Sequence, residues 1–267
     1  MAKNNTTGID VSVPSVARMY DWLLGGIENY ASDRQECEKL MQIAPGTMVL
    51  ARNNREFLQR VVRVLAKDYG IRQFIDHGSG LPTQDNVHQI AQRIDSSSRV
   101  VYIDNDPSVL AHGHAALEEN DRTVVIDADM RDTEAIFTHP EVRHLIDFTQ
   151  PVAALFVSVL HCLPDRDRPR ELVRDVAQRL APGSFLVVCQ LVSADAGVRE
   201  RVTSLMDRAT HGHWGRVREE GEVRAFFDGM EVLEPGLVDV TDWRPDDSVP
   251  PRPHSEEWVE WGGVAKL

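Results

Sequence analysis

The chain has 267 residues, 42% of them apolar and 27% charged, enough apolar content to bury a core rather than remain disordered. Its 29 basic and 42 acidic residues leave a formal charge of −13, which opposes nonspecific attraction to nucleic-acid phosphates and anionic membranes and favours a cationic or neutral small molecule as partner. The longest apolar stretch, Val152 to Leu160 with only Ser158 interrupting it, is too short to span a bilayer, and Met1 to Gly8 lack the apolar segment of a signal peptide, so the expectation is a soluble cytoplasmic protein.

Along the chain, Val16, Met19, Tyr20, Leu23 and Leu24 form a helical stripe that Pro14-Ser15 starts and Gly25-Gly26 stops. A second helical region begins near Asp33, breaks at Pro45-Gly46 and resumes through Phe57, Val61 and Leu65 to Gly70. Residues 1–70 therefore read as a helical N-terminal cap region. Within it, Asn53, Asn54 and Arg55 read as a helix start or surface.

After Gly70 short β-branched runs alternate with helical stripes, the pattern of a parallel sheet covered on both faces. Strands are expected at Gln73–His77, Val100–Asp104, Thr123–Asp127, Val152–Val159 and Ser184–Leu191, with helices at Gln84–Ile94, Ser108–Glu119, Arg168–Leu180 and Val198–Thr210. A further helix is expected over Arg218–Asp228. Strands at Leu237–Thr241 and Glu257–Ala265, separated by the loop Trp243 to Pro253, can form an antiparallel edge hairpin. The fold class is α/β, a doubly wound, mostly parallel sheet over residues 71–267.

The three cysteines, Cys37, Cys162 and Cys189, include no Cys-x-x-Cys pair, and the pairs His112/His114 and His211/His213 lack a third ligand nearby, so neither a disulfide framework nor a metal site is expected. Nothing in the sequence sets an oligomeric state.

The chemistry concentrates at the carboxyl edge of the sheet, where such folds bind ligands. Strand one runs into Asp76-His77-Gly78-Ser79-Gly80, whose glycines permit a sharp turn and close approach of a ligand. Strand two ends at Asp104, about 25 residues further on, where a carboxylate can accept from both ribose hydroxyls. Strand three leads into Asp127-Ala128-Asp129-Met130, an acid and an apolar neighbour suited to an adenine amino group and ring face. A dinucleotide fingerprint wants a small residue where Thr83 stands, and Asp76 would repel a pyrophosphate but attract an ammonium or sulfonium group. S-adenosylmethionine suits this charge pattern better than NAD does. The alternatives kept open are a noncatalytic S-adenosylmethionine or S-adenosylhomocysteine sensor or scaffold and, behind it, an NAD-dependent oxidoreductase.

The stretch Pro14-Ser15-Val16-Ala17-Arg18-Met19-Tyr20-Asp21-Trp22-Leu23-Leu24-Gly25-Gly26, followed by Asn29-Tyr30 and Asp33-Arg34, resembles the N-terminal signature of an actinobacterial family of S-adenosylmethionine-dependent methyltransferases. Asp76 to His88, Val101 to Pro107, Pro151 to Asp165, Phe226-Phe227-Asp228-Gly229 and Pro235-Gly236 are similar to it too, so the resemblance covers nearly the whole chain. It implies a Rossmann-like methyltransferase that binds its cofactor through Asp76, Gly78, Ser79 and Gly80, through Asp104 with Asn105, and through Asp129 with Met130. His77 departs from the aliphatic or small residue usual at its position.

Strand four leads into Ser158-Val159-Leu160-His161, beside the expected methyl-transfer centre. Ser158 is expected to line the cofactor pocket, and His161 is the candidate general base, although related enzymes often carry a Leu-His pair here that packs under the cofactor. Arg18, Tyr20 and Tyr30 in the cap are candidates for holding a small-molecule methyl acceptor. An ion pair between Arg18 and Asp21, three apart on one helical face, is the competing use of that arginine. No nucleic-acid or membrane partner is expected.

Overall fold

Ser15 lies in extended backbone and its hydroxyl accepts from the Arg18 N–H at 3.4 Å, so the first helix, α1 (Val16–Leu23), begins where Pro14-Ser15 directs it. The computed structural model describes residues 9–117, 120–245 and 253–267. Gly25 closes α1 with φ +85°, and the N–H groups of Gly25 and Gly26 return to the carbonyls of Trp22 and Asp21 at 2.9 and 2.8 Å. A Cβ on Gly26 would stand 1.9 Å from Asp21 Oδ1, so a glycine there lets the turn fold directly onto that carboxylate. The second helical region divides at Pro45-Gly46 into α2 (Ala31–Ile43) and α3 (Thr47–Asp68).

The parallel strands are β1 (Gln73–His77), β2 (Arg99–Asp104), β3 (Thr123–Asp127), β4 (Ala153–Val157) and β5 (Phe185–Val192). β4 stops short of the expected Val159 because Ser158 turns left-handed, at φ +57°. Between them run α4 (Val87–Ile94), α5 (Pro107–Ala116), α6 (Thr133–Thr138), α7 (Pro140–Leu145) and α8 (Pro169–Arg179). α4 starts later than Gln84 because Asn86 and Gln89 form a reciprocal cap at its N-terminus. The expected end of α5 at Glu119 lies outside the described residues. α6 and α7 were not anticipated: each is only 6 residues long, too short for a stripe, and His139-Pro140 separates them.

Beyond β5, α9 (Ala196–Ala209) begins ahead of Val198 because the Asp195 carboxylate accepts from the Gly197 and Val198 N–H groups. The helix expected over Arg218–Asp228 is shorter: Arg218 pairs its backbone with Val192, then α10 (Glu220–Arg224) runs into a 3-10 turn. β6 (Glu231–Val232), β7 (Val238–Asp239) and β8 (Val259–Lys266) complete the sheet. β7 is shorter than Leu237–Thr241 because the Asp239 carboxylate accepts the Thr241 N–H at 2.9 Å and bends the chain into another 3-10 turn. Part of the loop that follows, residues 246–252, lies outside the described residues.

The strand order is β3-β2-β1-β4-β5-β8, with β6 and β7 both on the far side of β8. β1 to β5 are parallel, and β8 is antiparallel to β5 from Phe185 opposite Lys266 to Val192 opposite Val259. The antiparallel β7–β8 pair lies at the edge as the sequence suggests, but β8 itself is an interior strand.

Apolar side chains cover both sheet faces. One core gathers Ile75, Ile103, Phe156 and Val188 under α6, α7 and α8; the other gathers Phe74, Val100 and Val187 with Phe57, Val61 and Leu65 of α3. α3 is thus a layer of the sheet fold as well as part of the cap. A third core joins Met19, Leu40 and Leu50 of the cap to Leu191, Met206, Trp214 and Trp258, and ties the cap to the β5–β8 side of the sheet. Among the described residues, no helix is long and apolar enough to cross a membrane.

Candidate functional site

A cavity of about 730 Å³ lies between α1, α2 and α3 and the carboxyl edge of the sheet. It is lined by Asp76, Gly78, Ser79, Gly80, Asp104, Asn105, Asp129, Met130, Ser158 and His161, and from the cap by Arg18 and Tyr20. Tyr30 lies outside it.

The loop after β1 is built for close approach. The Gly78 and Ser79 N–H groups are tied to the Ile103 carbonyl at 2.8 and 3.1 Å, and Gly78 and Gly80 hold φ +70° and +66°. A Cβ on Gly78 would meet Val159 Cγ2 at 2.4 Å and Met130 Cε at 3.2 Å. The Ser79 hydroxyl is buried without a hydrogen-bond partner. Asp104 holds the loop from the neighbouring strand: Oδ2 accepts from the Gly80 N–H at 2.9 Å and Oδ1 from Asn105 and Asp106, each at 2.9 Å. Burial pushes its pKa up against those bonds. These bonds fix the carboxylate's orientation; Oδ1 is filled by its two donors, and Oδ2 keeps a lone pair beyond its one.

Asp76 is 5% exposed. Burial raises its pKa to about 7, with the Arg55 charge pulling down and Asp104 pushing up. A cation beside it would be met by a carboxyl ready to ionise. His77, by contrast, points into the opposite core, its ring stacked 4.2 Å from Phe156, where burial lowers its pKa to about 4.

At the rim, Arg131 grips both oxygens of Asp129 through Nε at 2.9 and 3.0 Å and reaches Asp167 at 2.8 Å. Those bonds hold the Asp129 pKa down. Arg131 was not foreseen, and it couples the loop after β3 to the loop after β4. The run Asp165-Arg166-Asp167-Arg168, expected to be a solvated helix entry, is also an anchor: Asp165 accepts from Arg216 at 2.8 Å and from buried Arg218 at 2.9 Å.

The cap residues mostly hold one another. The Arg18 guanidinium pairs with Asp33 at 2.9 Å rather than with Asp21, and also donates to Ser108 at 3.1 Å and the Val13 carbonyl at 2.5 Å. Asp21 instead accepts from the Glu28 N–H at 2.9 Å and Asn29 Nδ2 at 2.8 Å. Tyr30 is half-exposed beside the Arg18 guanidinium, 5.3 Å from its ring centre. The Tyr20 hydroxyl donates to the Ala51 carbonyl at 3.1 Å and accepts from Asn54 at 2.8 Å.

His161 is buried against Trp214, with ring centres 5.0 Å apart, and its Nδ1 faces the Leu191 N–H at 3.4 Å. That contact occupies the Nδ1 lone pair and leaves the proton on Nε2, and burial with the Arg218 charge lowers its pKa to about 3.

Asn53, Asn54 and Arg55 do not start a helix, and the two asparagines are buried whereas Arg55 is only partly so. They lie inside α3; Asn53 donates to Thr241 Oγ1 at 3.0 Å, and Asn54 and Arg55 line the cavity. The signal was present, since Asn54 continues the Leu50, Leu58 and Val61 stripe. Glu260 on β8, also missed, lines the cavity at 1% exposure. Among the described residues, no group of three His, Cys, Asp or Glu side chains is arranged to hold a metal, and all three cysteines are free.

A glycine loop after β1, carboxylates at the ends of β1 and β2 and a helical cover over the parallel edge define a Rossmann-like methyltransferase. The chain belongs to the S-adenosyl methyltransferase family, whose model matches residues 2–267. It is similar to a DUF574-family protein from Streptomyces avermitilis, with 35% identity over 96% of this chain and 98% of that one and a TM-score of 0.89. It is also similar to a candidate methyltransferase from Thermobifida fusca, with 39% identity over 99% of both chains and a TM-score of 0.86. No curated protein matches it. The cofactor is S-adenosylmethionine, and the orphaned Ser79 hydroxyl, the Gly78 cradle and the two buried carboxyls fit that molecule.

Proposed function

We propose that this S-adenosylmethionine-dependent methyltransferase acts on a small-molecule acceptor, by in-line transfer inside the cavity between the cap and the sheet. The observation that carries this reading is the cavity itself: its volume of about 730 Å³ is in the range of small-molecule sites, about 300–1,000 Å³. Its lining extends from the glycine loop to the apolar side chains of Leu50, Leu191, Met206 and Trp258. The cofactor supplies a methyl group already activated by its sulfonium charge. In this reading Asp104 with Asn105 holds the ribose, Asp129 and Met130 the adenine, Gly78, Ser79 and Gly80 the chain between them, and Asp76 the cationic end. Ser158 lines the same pocket. The cap excludes water and orients the acceptor, the two contributions that an activated donor most needs. His161 supports the floor of the site.

Incubation of the protein with methyl-labelled S-adenosylmethionine and an actinobacterial cell extract, followed by separation by size, tests this. Label is expected in the small-molecule fraction, and Asp104→Ala is expected to reduce it at least tenfold through lost cofactor affinity. Label confined to protein or nucleic acid would overturn the acceptor class.

A further inference from the structure

β8 carries a carboxyl group where the fold otherwise buries apolar side chains. Glu260 lies between Trp258 and Trp261, each 5% exposed or less, and is itself 1% exposed. Ser158 donates to its Oε1. Its Oε2 is buried without any hydrogen-bond partner. An orphaned carboxyl oxygen in a nonpolar setting costs free energy that a structural role does not recover.

The sheet order says what the group faces. The residues proposed to hold the ribose, adenine and cationic end of the cofactor stand at the ends of β1, β2 and β3, whereas Glu260 is on β8, across β4 and β5 from them, and its nearest tie to the cofactor pocket is Ser158 at the end of β4. It therefore belongs to the acceptor end of the cavity. The other walls there are Leu191, Met206, Trp214 and Trp258, with Tyr20 and Asn54 from the cap. Tyr20 and Asn54 satisfy each other at 2.8 Å, and Cys189 donates to Asn54 at 3.3 Å. Besides burial, the groups that act on the Glu260 carboxyl are Ser158, which hydrogen-bonds to Oε1, the neighbouring Cys189 thiol, whose proton goes to Asn54, and Asp239, which repels it; none is a cation. Burial dominates and raises its pKa to about 8. In turn it pushes up the pKa values of Tyr20, Cys162 and Cys189.

We propose that Glu260 is the acceptor-recognising carboxyl, and that the acceptor is an amine whose apolar body fills the cavity beside Trp258 while its ammonium group reaches Oε2. The proposal rests on the methyltransferase reading above. The paired charges also provide a route to the nucleophile. One N–H bond of the ammonium breaks as an O–H bond forms at Oε2, turning R–NH₃⁺ and carboxylate into R–NH₂ and a neutral carboxyl group. The lone pair so freed is what methylation of nitrogen requires. An anionic head is disfavoured, because it would face the unpaired Oε2, and no cation is among the groups acting on that carboxyl.

Three probes of similar size that share a phenyl ring and differ in the polar head test this: 2-phenylethylamine, 2-phenylethanol and phenylacetate, each added to protein saturated with S-adenosylhomocysteine, with melting temperature as the readout. At about five times its dissociation constant the amine should raise the melting temperature by about 2–4 °C, the alcohol less and the carboxylate not at all. Glu260→Gln should lose the amine increment and keep the one caused by S-adenosylhomocysteine. The three-head order in the native protein is independent of any substitution, so the idea stays testable if that variant folds poorly. Equal responses to the three heads, no response to any of them, or an amine increment that survives Glu260→Gln would overturn it. Absence of a rise with S-adenosylhomocysteine itself would instead strike the cofactor reading beneath it.

Discussion

Arg18 and Asp33 form a buried ion pair, Nε to Oδ2 at 2.9 Å, with side chains 4% and 0% exposed. Around it the cap is wired to the sheet fold. Asp33 also accepts the Ser15 and Tyr30 N–H groups at 2.9 and 2.8 Å, Arg18 reaches Ser108 on α5, and Ser15 donates to Asp106. Asp106 adjoins Asp104, so the start of α1 is fastened to the loop that would hold the ribose. In the N-terminal stretch that carries the family resemblance, Ser15, Arg18 and Asp33 thus serve chiefly to place the cover over the cofactor loop.

Removing one partner of this pair leaves the other charge buried and unpaired, which costs about 3–5 kcal/mol in comparable pairs. Asp33→Ala additionally orphans two backbone donors, so it should destabilise the protein more than Arg18→Met does. Urea unfolding of the two variants measures the difference. Equal losses, or losses below about 1 kcal/mol, would mean that the pair behaves as a surface contact and the cap is held by its apolar core alone.

The glycines of the cofactor loop separate steric from conformational demands. Gly78→Val should abolish S-adenosylhomocysteine binding, because its side chain would enter the space of Val159 and Met130. Gly80→Ala puts its Cβ in open space but at φ +66°, a left-handed conformation that costs an L-residue about 1–2 kcal/mol. It should therefore lower stability modestly and leave binding within about tenfold. Calorimetric titration of both variants distinguishes these effects; similar affinities would remove the loop from the binding site.

The sheet was legible because parallel strands buried on both faces are written as local apolar runs, and β1 and β3 begin and end where those runs do. Helix starts moved where a side-chain cap decided them, as at Asn86 and Asp195. The position of β8 was less legible, since pairing along β5 joins residues far apart in sequence and leaves no local trace. The same applies to the site. Asp76, Gly78 and Asp104 sit at strand ends that periodicity locates, whereas Glu260, Asn54 and Arg131 enter the cavity through packing of distant elements. Arg18 read as a ligand group because charge in a cap helix suggests solvent or substrate; its partner, Asp33, lies on another helix.

The pH dependence of the unliganded protein follows from Asp76. Its folded pKa is raised from 3.8 to about 7, so between those values the folded state holds a proton that the unfolded state has lost. The unfolded chain then binds fewer protons, and stability declines as pH rises. This contribution is complete below about pH 4, falls through about pH 7 and is flat above it; Glu260, raised to about 8, extends the decline upward. Melting temperature should therefore drop between pH 5 and 8 more steeply in the native protein than in Asp76→Asn, once other groups common to both are subtracted. Binding of the sulfonium cofactor should ionise Asp76, so calorimetry near pH 6 in buffers of different ionisation enthalpy should detect proton release that Asp76→Asn lacks. Identical proton release in the two proteins would place the cofactor's positive charge away from this carboxyl.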